Sequence, residues 1–271
     1  MLEFVDTAAQ AVSQVTDGAT VLIGGFGNAG QPMELIDALL ESGATGLTVV
    51  NNNAGQADAG LALLIKERRV AKIICSFPRQ SDSWHFDEAY RAGEIELELV
   101  PQGNLAERLR AGGAGIGGFF TPTGYGTQLA EGKEVREIDG THYVLEAPIR
   151  GDVALIKAYA ADRHGNLVYR KTARNFGPVM AAAAATTMHT TRAGDRASRR
   201  PIAAAPTATV ASPAAAHPAR PHSTRSRPAG PHRSRRGGTR RGRRPAHPRG
   251  SPTPATREPH RPPRGHRARR R

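Results

Sequence analysis

Short apolar runs alternate with amphipathic stretches along residues 1–185. The apolar runs are rich in β-branched residues, as buried strands are, whereas the stretches between them carry apolar residues three and four apart, which is the helical period. The predicted strands are Thr20–Gly24, Leu47–Asn51, Val70–Cys75, Ile95–Val100, Tyr143–Glu146, Val153–Ala158 and Leu167–Arg170. The predicted helices are Pro32–Ser42, Ala57–Lys66, Trp84–Ala92, one from Asn104 to Gly112, and Ala173–Ala185.

The helix that follows the fourth strand carries signals at both ends. Asn104 is a typical N-cap residue, Glu107 three residues later completes a capping box, and Gly112-Gly113 ends the helix. This β-α-β-α alternation predicts an α/β fold with a mostly parallel sheet flanked by helices on both faces. Ligands of such sheets bind at the carboxyl ends of the strands. Those ends are predicted at Gly24–Gly30, Asn51–Gly55, Ser76–Gln80 and Pro101–Gly103.

Charge divides the chain into two unlike parts near residue 186. Residues 1–185 hold 16 Lys and Arg against 22 Asp and Glu, a net charge of −6. Residues 186–271 hold 22 Arg, 14 Pro and two acids, a net charge of +20, and they lack Lys, Leu and every aromatic residue. A segment of this composition cannot bury enough apolar surface to fold, so we predict a disordered basic tail after residue 185.

Three interpretations of residues 186–271 compete. Arginine neutralises phosphates, which would fit a nucleic-acid-binding tail, but the segment has no aromatic residues for stacking on bases. A solvated extension without a partner is the second interpretation. We favour the third, a shift of the reading frame, because Arg, Pro, Ala, Gly, His, Ser and Thr are what out-of-frame reading of GC-rich DNA produces. The change also falls inside a helical pattern rather than at a domain edge.

Other features exclude several classes of protein. The single cysteine, Cys75, lies in an apolar strand pattern and is expected to be a buried thiol rather than a nucleophile. No apolar run approaches the ~18 residues of a membrane span, and no secretory signal opens the chain, so we expect a cytoplasmic protein without membrane contact. His85, His142 and His164 are scattered, and no cluster has metal-ligand spacing, so no metal is expected.

The segment Gly24–Gly30 is the most informative part of the chain. It joins a predicted strand to a predicted helix, and its four glycines leave the main chain open to a ligand, whose oxygens backbone N–H groups can bind. Its G-x-G-x-x-G spacing also occurs in dinucleotide sites, but the second strand ends in Asn51-Asn52-Asn53 where such sites need an acid. A tight turn that needs glycine for geometry alone is the structural alternative.

Polar side chains follow three other predicted strands. The amides of Asn52 and Asn53, and that of Gln102, are candidate hydrogen-bond donors to an oxyanion, with simple turn chemistry as the alternative for each. Arg79 is a candidate clamp for a substrate carboxylate, although a surface ion pair would explain it equally.

Several segments, in the same order along the chain, resemble the A subunit of the family I, 3-oxoacid-type CoA-transferases. The resemblance runs from about residue 3 to residue 185. The segments are Asp17-Gly18 with the apolar triplet that follows, Gly24-Gly25-Phe26 with Gly30 and Pro32, Asn52–Gly55, Pro101–Arg108, Ala111–Ile116, Thr121–Gly126 and Arg174–Pro178. Cys75–Ser83 resembles the branch that acts on 3-oxoadipate. The branch that acts on other 3-keto acids, such as acetoacetate, is the alternative. A basic-tailed nucleic-acid-binding protein is the alternative from another class.

The resemblance implies a mechanism in which a glutamate attacks the acyl-CoA and becomes a glutamyl-CoA thioester. In this family the glutamate belongs to a partner B subunit, so no acid of this chain is assigned that role, and no cofactor is implied because the CoA thioester is itself a substrate. Succinyl-CoA and a 3-oxo acid are the implied small-molecule partners. The implied CoA-binding loop consists of Gly24, Gly25, Phe26, Gly27, Asn28, Ala29 and Gly30, and Gln102, Asn52 and Asn53 would support the oxyanion.

The chain departs from the family pattern after about Ala185, where the family continues into a further strand. We therefore expect the C-terminal part of the domain, including a core strand and part of the subunit interface, to be missing. A chain that ends in this tail is expected to fold poorly or to be inactive.

Overall fold

The computed structural model describes residues 3–162, 164–191 and 202–206. The strands are β1 Glu3–Val5, β2 Thr20–Ile23, β3 Leu47–Val50, β4 Val70–Cys75, β5 Glu96–Leu99, β6 Phe119–Thr121, β7 Val135–Ile138, β8 Thr141–Glu146, β9 Gly151–Lys157, β10 Ala160–Ala161, β11 Leu167–Val168, β12 Ala184–Thr190 and β13 Ile202–Pro206. The helices are α1 Ala8–Val12, α2 Met33–Ser42, α3 Leu61–Lys66, α4 Trp84–Arg91, α5 Gln102–Ala114 and α6 Gly177–Ala183, with 3₁₀ turns at Gln128–Ala130 and Lys171–Arg174.

Eight strands form the central sheet, in the order β1-β13-β12-β9-β2-β3-β4-β5. The six strands from β12 to β5 are parallel to one another, and β13 and β1 add two antiparallel strands at one edge. The predicted α/β fold with a mostly parallel sheet is therefore confirmed. Because the six strands run the same way, their carboxyl ends all meet at one edge of the sheet, which is where the predicted ligand segments lie.

Helices cover both faces of the sheet. On one face, α1 to α4 pack against strand residues such as Val21, Ile23 and Val49. On the other, α5 and α6 pack against the alternate residues, such as Leu22 and Val50. This period-two division explains why the central strands read as continuous apolar runs, since a strand covered on both faces has no solvent side.

A separate antiparallel sheet, with the order β6-β8-β7, lies beyond α5 in the chain. Only β8 was predicted there. All four residues of β7 are exposed, so that strand lacks the alternation of apolar and polar residues that marks a half-buried strand. A hairpin with Asp139-Gly140 at its turn, each with a positive φ, joins β7 to β8.

The predicted ends of α5 were wrong. The helix begins at Gln102, directly after Pro101, and the Asn104 side chain shows no capping bond. Asn104 is buried instead, and its Nδ2 donates to Glu146 Oε1 at 3.2 Å. Gly112 and Gly113 lie inside the helix, and glycine is needed there because a Cβ would come within 2.0 Å of the Ile149 carbonyl oxygen and 2.8 Å of the Ala182 carbonyl oxygen, respectively. The helix ends at Gly115, whose φ is +72°.

Residues 184–190 correct the expected end of the domain. The helix predicted over Ala173–Ala185 is confined to Gly177–Ala183, and the chain then enters β12, which pairs with β9 over its whole length. The tail predicted to start at residue 186 therefore starts inside a core strand, in which Met188 is fully buried. Alternating Thr, Met and His gave only a weak strand signal. A strand therefore follows the helix where we expected the pattern to stop, whereas the loss of the remaining C-terminal part and the poor folding stay predictions.

Most of the predicted basic tail lies outside the described residues. The disorder predicted for residues 186–271 and the favoured frame shift concern mainly this part of the chain, so both stay predictions. None of the helices in the described part of the chain has the length and apolar character that a membrane crossing requires.

Cys75 is fully buried at the end of β4, and burial raises the pKa of its thiol to about 12. Since only the thiolate reacts quickly with disulfide reagents, we expect Cys75 of the folded chain to react roughly 10³-fold more slowly than in urea. The chain has no other cysteine, so a thiol-labelling time course reads this one site. Labelling of the native protein at the rate of an exposed thiol would contradict the placement of Cys75.

His189 is buried in β12, and neither of its ring nitrogens has a hydrogen-bond partner among the described residues. Burial lowers the pKa of His189 to about 4, against about 6.5 in the unfolded chain. Between these values the unfolded chain binds the additional proton, so the free energy of unfolding should fall by about 3 kcal/mol as the pH drops from 6.5 to 4.

The variant His189→Val should lose this part of the pH dependence and be more stable than the wild type at every pH. Urea unfolding at pH 7 and pH 4.5 would measure both effects. His142→Gln, a change at an exposed histidine of β8, is the control and should keep the wild-type dependence. If the free energy of unfolding changed by the same amount between pH 7 and pH 4.5 in the wild type and in His189→Val, His189 would not be buried in its neutral form.

Candidate active site

The segment Gly24–Gly30 forms a compact loop at the carboxyl end of β2. The Gly24 N–H extends the sheet by donating to the Leu155 carbonyl at 2.9 Å. Phe26 and Ala29 then exchange two backbone hydrogen bonds, so Gly27 and Asn28 form the tip of a small hairpin. No hydrogen bond among the described residues uses the N–H groups of Gly25, Gly27, Asn28 or Gly30. Gly25 is buried, whereas Gly27, Asn28 and Gly30 are at least partly exposed, so a ligand could reach the donors of these three residues.

Two amide side chains hold the loop from outside. Gln31 Nε2 donates to the Gly27 carbonyl at 2.8 Å, and Asn175 Nδ2 donates to the Ala29 carbonyl at 2.9 Å and to the Thr172 carbonyl at 2.8 Å. The loop also touches the chain beside Asn175. A Cβ on Gly30, whose φ is +79°, would lie 2.7 Å from the Ala173 carbonyl oxygen. Glycine is therefore required at residue 30 for contact as well as for conformation.

The Asn51–Asn53 segment lies beside this loop, at the carboxyl end of β3, and is buried. Asn51 Nδ2 donates to the Ile23 carbonyl at 2.7 Å, and the Asn51 and Asn53 side-chain oxygens accept from the N–H groups of Asn53 and Gly55. Asn52 Oδ1 accepts from Ser76 Oγ at 2.8 Å. The Asn51 and Asn53 oxygens thus perform the turn chemistry that was the structural alternative, whereas the Asn52 oxygen joins this segment to the chain after β4. Asn53 Nδ2 is buried without a partner in the described part of the chain, which leaves one amide donor unused.

Gln102 lies next to the glycine loop, although it is 76 residues away from Phe26 in the sequence. Both side chains line one open groove of about 590 Å³. Gln102 is the first residue of α5, at the carboxyl edge of the sheet, and is exposed. The remaining residues of the groove come from α5, α6 and the chain before α6: Gly103, Ala106, Asn175, Phe176 and Val179. The groove therefore combines amide groups with an apolar wall.

Ion pairs and a buried carboxylate hold α5 in place on the face of the helix that is turned away from the groove. The Glu146 carboxylate, 2% exposed, accepts from Lys133 Nζ at 2.8 Å and from Asn104 Nδ2 at 3.2 Å. Arg108, one turn further along α5, donates to Glu98 at 2.7 Å. Burial alone would raise the pKa of Glu98, but the hydrogen bonds from Arg108 and Lys72 outweigh it and hold that pKa below its usual value. These pairs anchor the helix that carries Gln102.

Arg79 lies outside the groove. Its Nε donates to Asp87 Oδ1 at 2.5 Å, and its guanidinium lies 6.0 Å from the centre of the Tyr90 ring on α4. The surface ion pair, which was the alternative for Arg79, describes this arrangement. The loop that contains Arg79 still follows β4 at the same edge of the sheet.

Asn175 and Phe176 are among the residues of the groove that were not singled out from the sequence. They lie in the segment Arg174–Pro178, which supported the family resemblance without a role assigned to any of its residues. The signal that could have identified Asn175 is a lone amide just before the helix that begins with Gly177-Pro178. Its partner, the Ala29 carbonyl, is 146 residues away in the sequence, and no local pattern encodes that distance.

The described residues offer no metal centre, since no three of their His, Cys, Asp or Glu side chains come together in a suitable arrangement. Asp58 and His85 form a surface pair with Asp58 Oδ1 2.7 Å from His85 Nε2. The hydrogen bond from His85 lowers the pKa of Asp58. The pair lies on the α3–α4 side of the molecule, away from the residues that line the groove.

Comparison with known proteins extends this description. Residues 5–210 match the coenzyme A transferase family, so the match runs past residue 185. The chain is 64% identical over 181 residues to the A-type chain of 3-oxoadipate CoA-transferase from Pseudomonas putida, covering 67% of this chain and 78% of that protein. It is 54% identical over 180 residues to the A-type chain of succinyl-CoA:3-ketoacid coenzyme A transferase from Xanthomonas campestris, covering 66% and 74%. Its fold matches glutaconate coenzyme A-transferase from Acidaminococcus fermentans with a TM-score of 0.61 at 20% identity, covering 70% of this chain and 67% of that one.

Proposed function

The chain belongs to the coenzyme A transferase family, and on that premise we propose that it is the A-type chain of an enzyme that transfers CoA from succinyl-CoA to 3-oxoadipate. The observation that carries the proposal is the groove in which Phe26 of the glycine loop faces Gln102. The choice of 3-oxoadipate rests on identity, which is 64% to a 3-oxoadipate transferase chain and 54% to a 3-ketoacid transferase chain.

The proposed reaction has two half-reactions and needs a glutamate from a B subunit. The glutamate carboxylate attacks the thioester carbonyl of succinyl-CoA, and the CoA thiolate leaves as an acyl anhydride forms. The thiolate then attacks the glutamyl carbonyl and releases succinate, which leaves CoA on the glutamate as a thioester. The carboxylate of the 3-oxo acid reverses these steps and takes the CoA. The reaction conserves the thioester and uses no metal or resident cofactor.

Every attack in this sequence turns a carbonyl oxygen into an oxyanion, and stabilising that charge is the task we assign to this chain. The Gln102 amide at the start of α5 and the unused N–H groups of the glycine loop are the donors. A donor already fixed in place stabilises the transition state because it need not reorganise as the charge develops. The salt bridges of α5 and the bonds from Asn175 and Gln31 supply that rigidity. In this proposal the unused Nδ2 group of the buried Asn53 is a further donor at the same edge of the sheet.

The apolar side of the groove has a separate task. Phe176, Val179 and Ala106 line it together with Phe26. An anhydride and a thioester both hydrolyse if water reaches them, so a wall without hydrogen-bonding groups protects the intermediates. We propose that the part of the CoA arm next to the sulfur packs against this apolar wall. The B subunit is proposed to close the exposed side of the groove and to bring the glutamate to it.

The test is turnover by the full chain produced together with the B subunit of a 3-oxoadipate CoA-transferase. Transfer from succinyl-CoA should be at least tenfold more efficient, by kcat/KM, to 3-oxoadipate than to acetoacetate, and absent without the B subunit. A preference for acetoacetate would place the chain in the 3-ketoacid branch. An assembled complex that transfers CoA to neither acid would contradict the proposal. We also propose that the enzyme works in the cytoplasm, in the degradation of aromatic compounds.

A further inference from the structure

A second groove, of about 570 Å³, opens on the other side of the glycine loop. It lies at the carboxyl ends of β9 and β12, the two parallel strands next to β2. Its lining comes from the loop, from α2 and from the chain after β9 and β12: Gly30, Glu34, Lys157, Ala158, Tyr159, Arg170, Ala173, Thr190 and Thr191. The catalytic assignments above use none of its side chains.

Two cations in this groove, Lys157 and Arg170, form no ion pair within the described residues, whereas Arg79, Arg108 and Lys133 are all paired with carboxylates. The Arg170 guanidinium lies 5.4 Å from the centre of the Tyr159 ring. Stacking on a ring fixes the guanidinium plane and leaves its edge N–H groups free for a planar anion such as a carboxylate. Lys157 is the last residue of the buried strand β9, which fixes the start of its side chain.

One wall separates this groove from the proposed catalytic centre. The wall consists of the glycine loop and the chain from Thr172 to Asn175, joined by the Asn175 bonds to the Ala29 and Thr172 carbonyls. Gly30 and Ala173 face the second groove, and Phe26 and Asn175 face the first. The two grooves thus lie on either side of the glycine loop, and a ligand that reacts in the first would meet Lys157 and Arg170 by extending over this loop.

We propose that Lys157 and Arg170 bind the distal carboxylate of the acyl group, the carboxylate that does not react. The inference rests on the proposed function, in which both the succinyl donor and a dicarboxylic 3-oxo acid carry such a group. The phosphates of CoA are the other anions within reach. Glu34 lines the same groove, so its net charge is only +1, which balances one carboxylate but leaves most of the charge of a polyphosphate uncompensated.

Kinetics of the complex with the B subunit distinguish these ligands. Lys157→Gln and Arg170→Gln should each raise the KM for succinyl-CoA and for 3-oxoadipate about tenfold, with kcat within twofold of the wild type. Inhibition by free CoA, which has the phosphates without the acyl carboxylate, should not change. Weaker inhibition by CoA together with an unaltered KM for 3-oxoadipate would assign the groove to the CoA phosphates. Unaltered constants throughout would show that the groove binds neither anion.

Arg136→Gln is the matched control, because Arg136 also lies over an aromatic ring, that of Phe120, but on the three-stranded sheet. It should leave every constant unchanged. Arg79→Gln tests the earlier candidate and should leave the KM for 3-oxoadipate unchanged, since Arg79 is paired with Asp87. If the KM for 3-oxoadipate rose in Arg79→Gln but not in Lys157→Gln or Arg170→Gln, the distal carboxylate would be assigned to Arg79 instead.

A binding measurement separates this inference from the proposed function. Adipate is a dicarboxylate without the 3-oxo group, and butyrate lacks the second carboxylate. Adipate, but not butyrate, should raise the melting temperature of the wild-type complex, and the Lys157→Gln/Arg170→Gln double variant should lose that shift. An inactive wild type would contradict the proposed function alone. An equal adipate shift in the wild type and the double variant would overturn the carboxylate site alone.

Discussion

Replacing Gln102 by Ala is expected to lower kcat of the assembled transferase by about 10²–10³-fold, the usual cost of removing one donor to an oxyanion. Gln102 is exposed at the first residue of α5 and lines the same groove as Phe26. Since a carbonyl oxygen gains charge only as it is attacked, the lost bond should destabilise the transition state more than the bound substrate. The KM for succinyl-CoA should therefore change by less than about threefold.

Steady-state kinetics of Gln102→Ala, compared with Gln128→Ala, measure this effect. Gln128 is an equally exposed glutamine in the 3₁₀ turn Gln128–Ala130, outside the residues that line the groove, and its replacement should be silent. Gln102→Glu keeps the shape of the side chain but places a carboxylate beside the developing charge, so it should be at least as impaired as Gln102→Ala. If Gln102→Ala retained full kcat, the oxyanion role would have to pass to the loop N–H groups alone.

The second large effect is expected from Gly30→Ala, which should destabilise the fold by about 3 kcal/mol and lower activity at least tenfold. An alanine at φ +79° costs about 1 kcal/mol. Its Cβ would also lie 2.7 Å from the Ala173 carbonyl oxygen, so the loop and the neighbouring chain must separate, at the cost of overpacking. That separation would break the wall between the two grooves and displace the Asn175 bond to Ala29.

Gly27→Ala is the matched comparison in the same loop. Its φ of +55° is also left-handed, but no atom lies within 4 Å of the added Cβ. It should cost only the conformational term of about 1 kcal/mol. Urea unfolding of both variants measures the difference. Equal destabilisation of the two variants would mean that the close contact between Gly30 and Ala173 contributes nothing to the free energy of unfolding. The proposed role of this contact in the wall between the grooves would then be wrong.

The sequence predicted the central sheet well because β2, β3 and β4 are buried on both faces and short. Their apolar runs have no other place in a globular fold, and Gly24 and Asn51 mark the ends of β2 and β3. It also predicted that the glycine loop, the asparagines and Gln102 would share one edge, since all follow strands that run in the same direction. What it could not give was the partner of each side chain.

The failures have physical causes. Asn104 has the identity of a helix cap, but the buried Glu146 carboxylate, 42 residues away, accepts from its amide instead. Arg79 follows β4 as Gln102 follows β5, yet Asp87 on the next helix pairs with it. The cations Lys157 and Arg170 carried no motif, because only the fold brings them together in one groove. Long-range pairing of polar groups decides all of these positions, and local patterns do not contain it.

The order of strands in the sheet sets a constraint on how the chain is made. β12 lies between β9 and β13, and the first strand, β1, pairs with β13, some 200 residues further on. During synthesis β1 therefore emerges long before its partner exists, and β9 presents an open edge until residues 184–190 have left the ribosome. Contacts of such high sequence separation slow folding. A nascent chain that stalls before residue 184 would expose that edge to other chains, so the time taken to translate residues 184–190 sets how long the growing chain is open to aggregation.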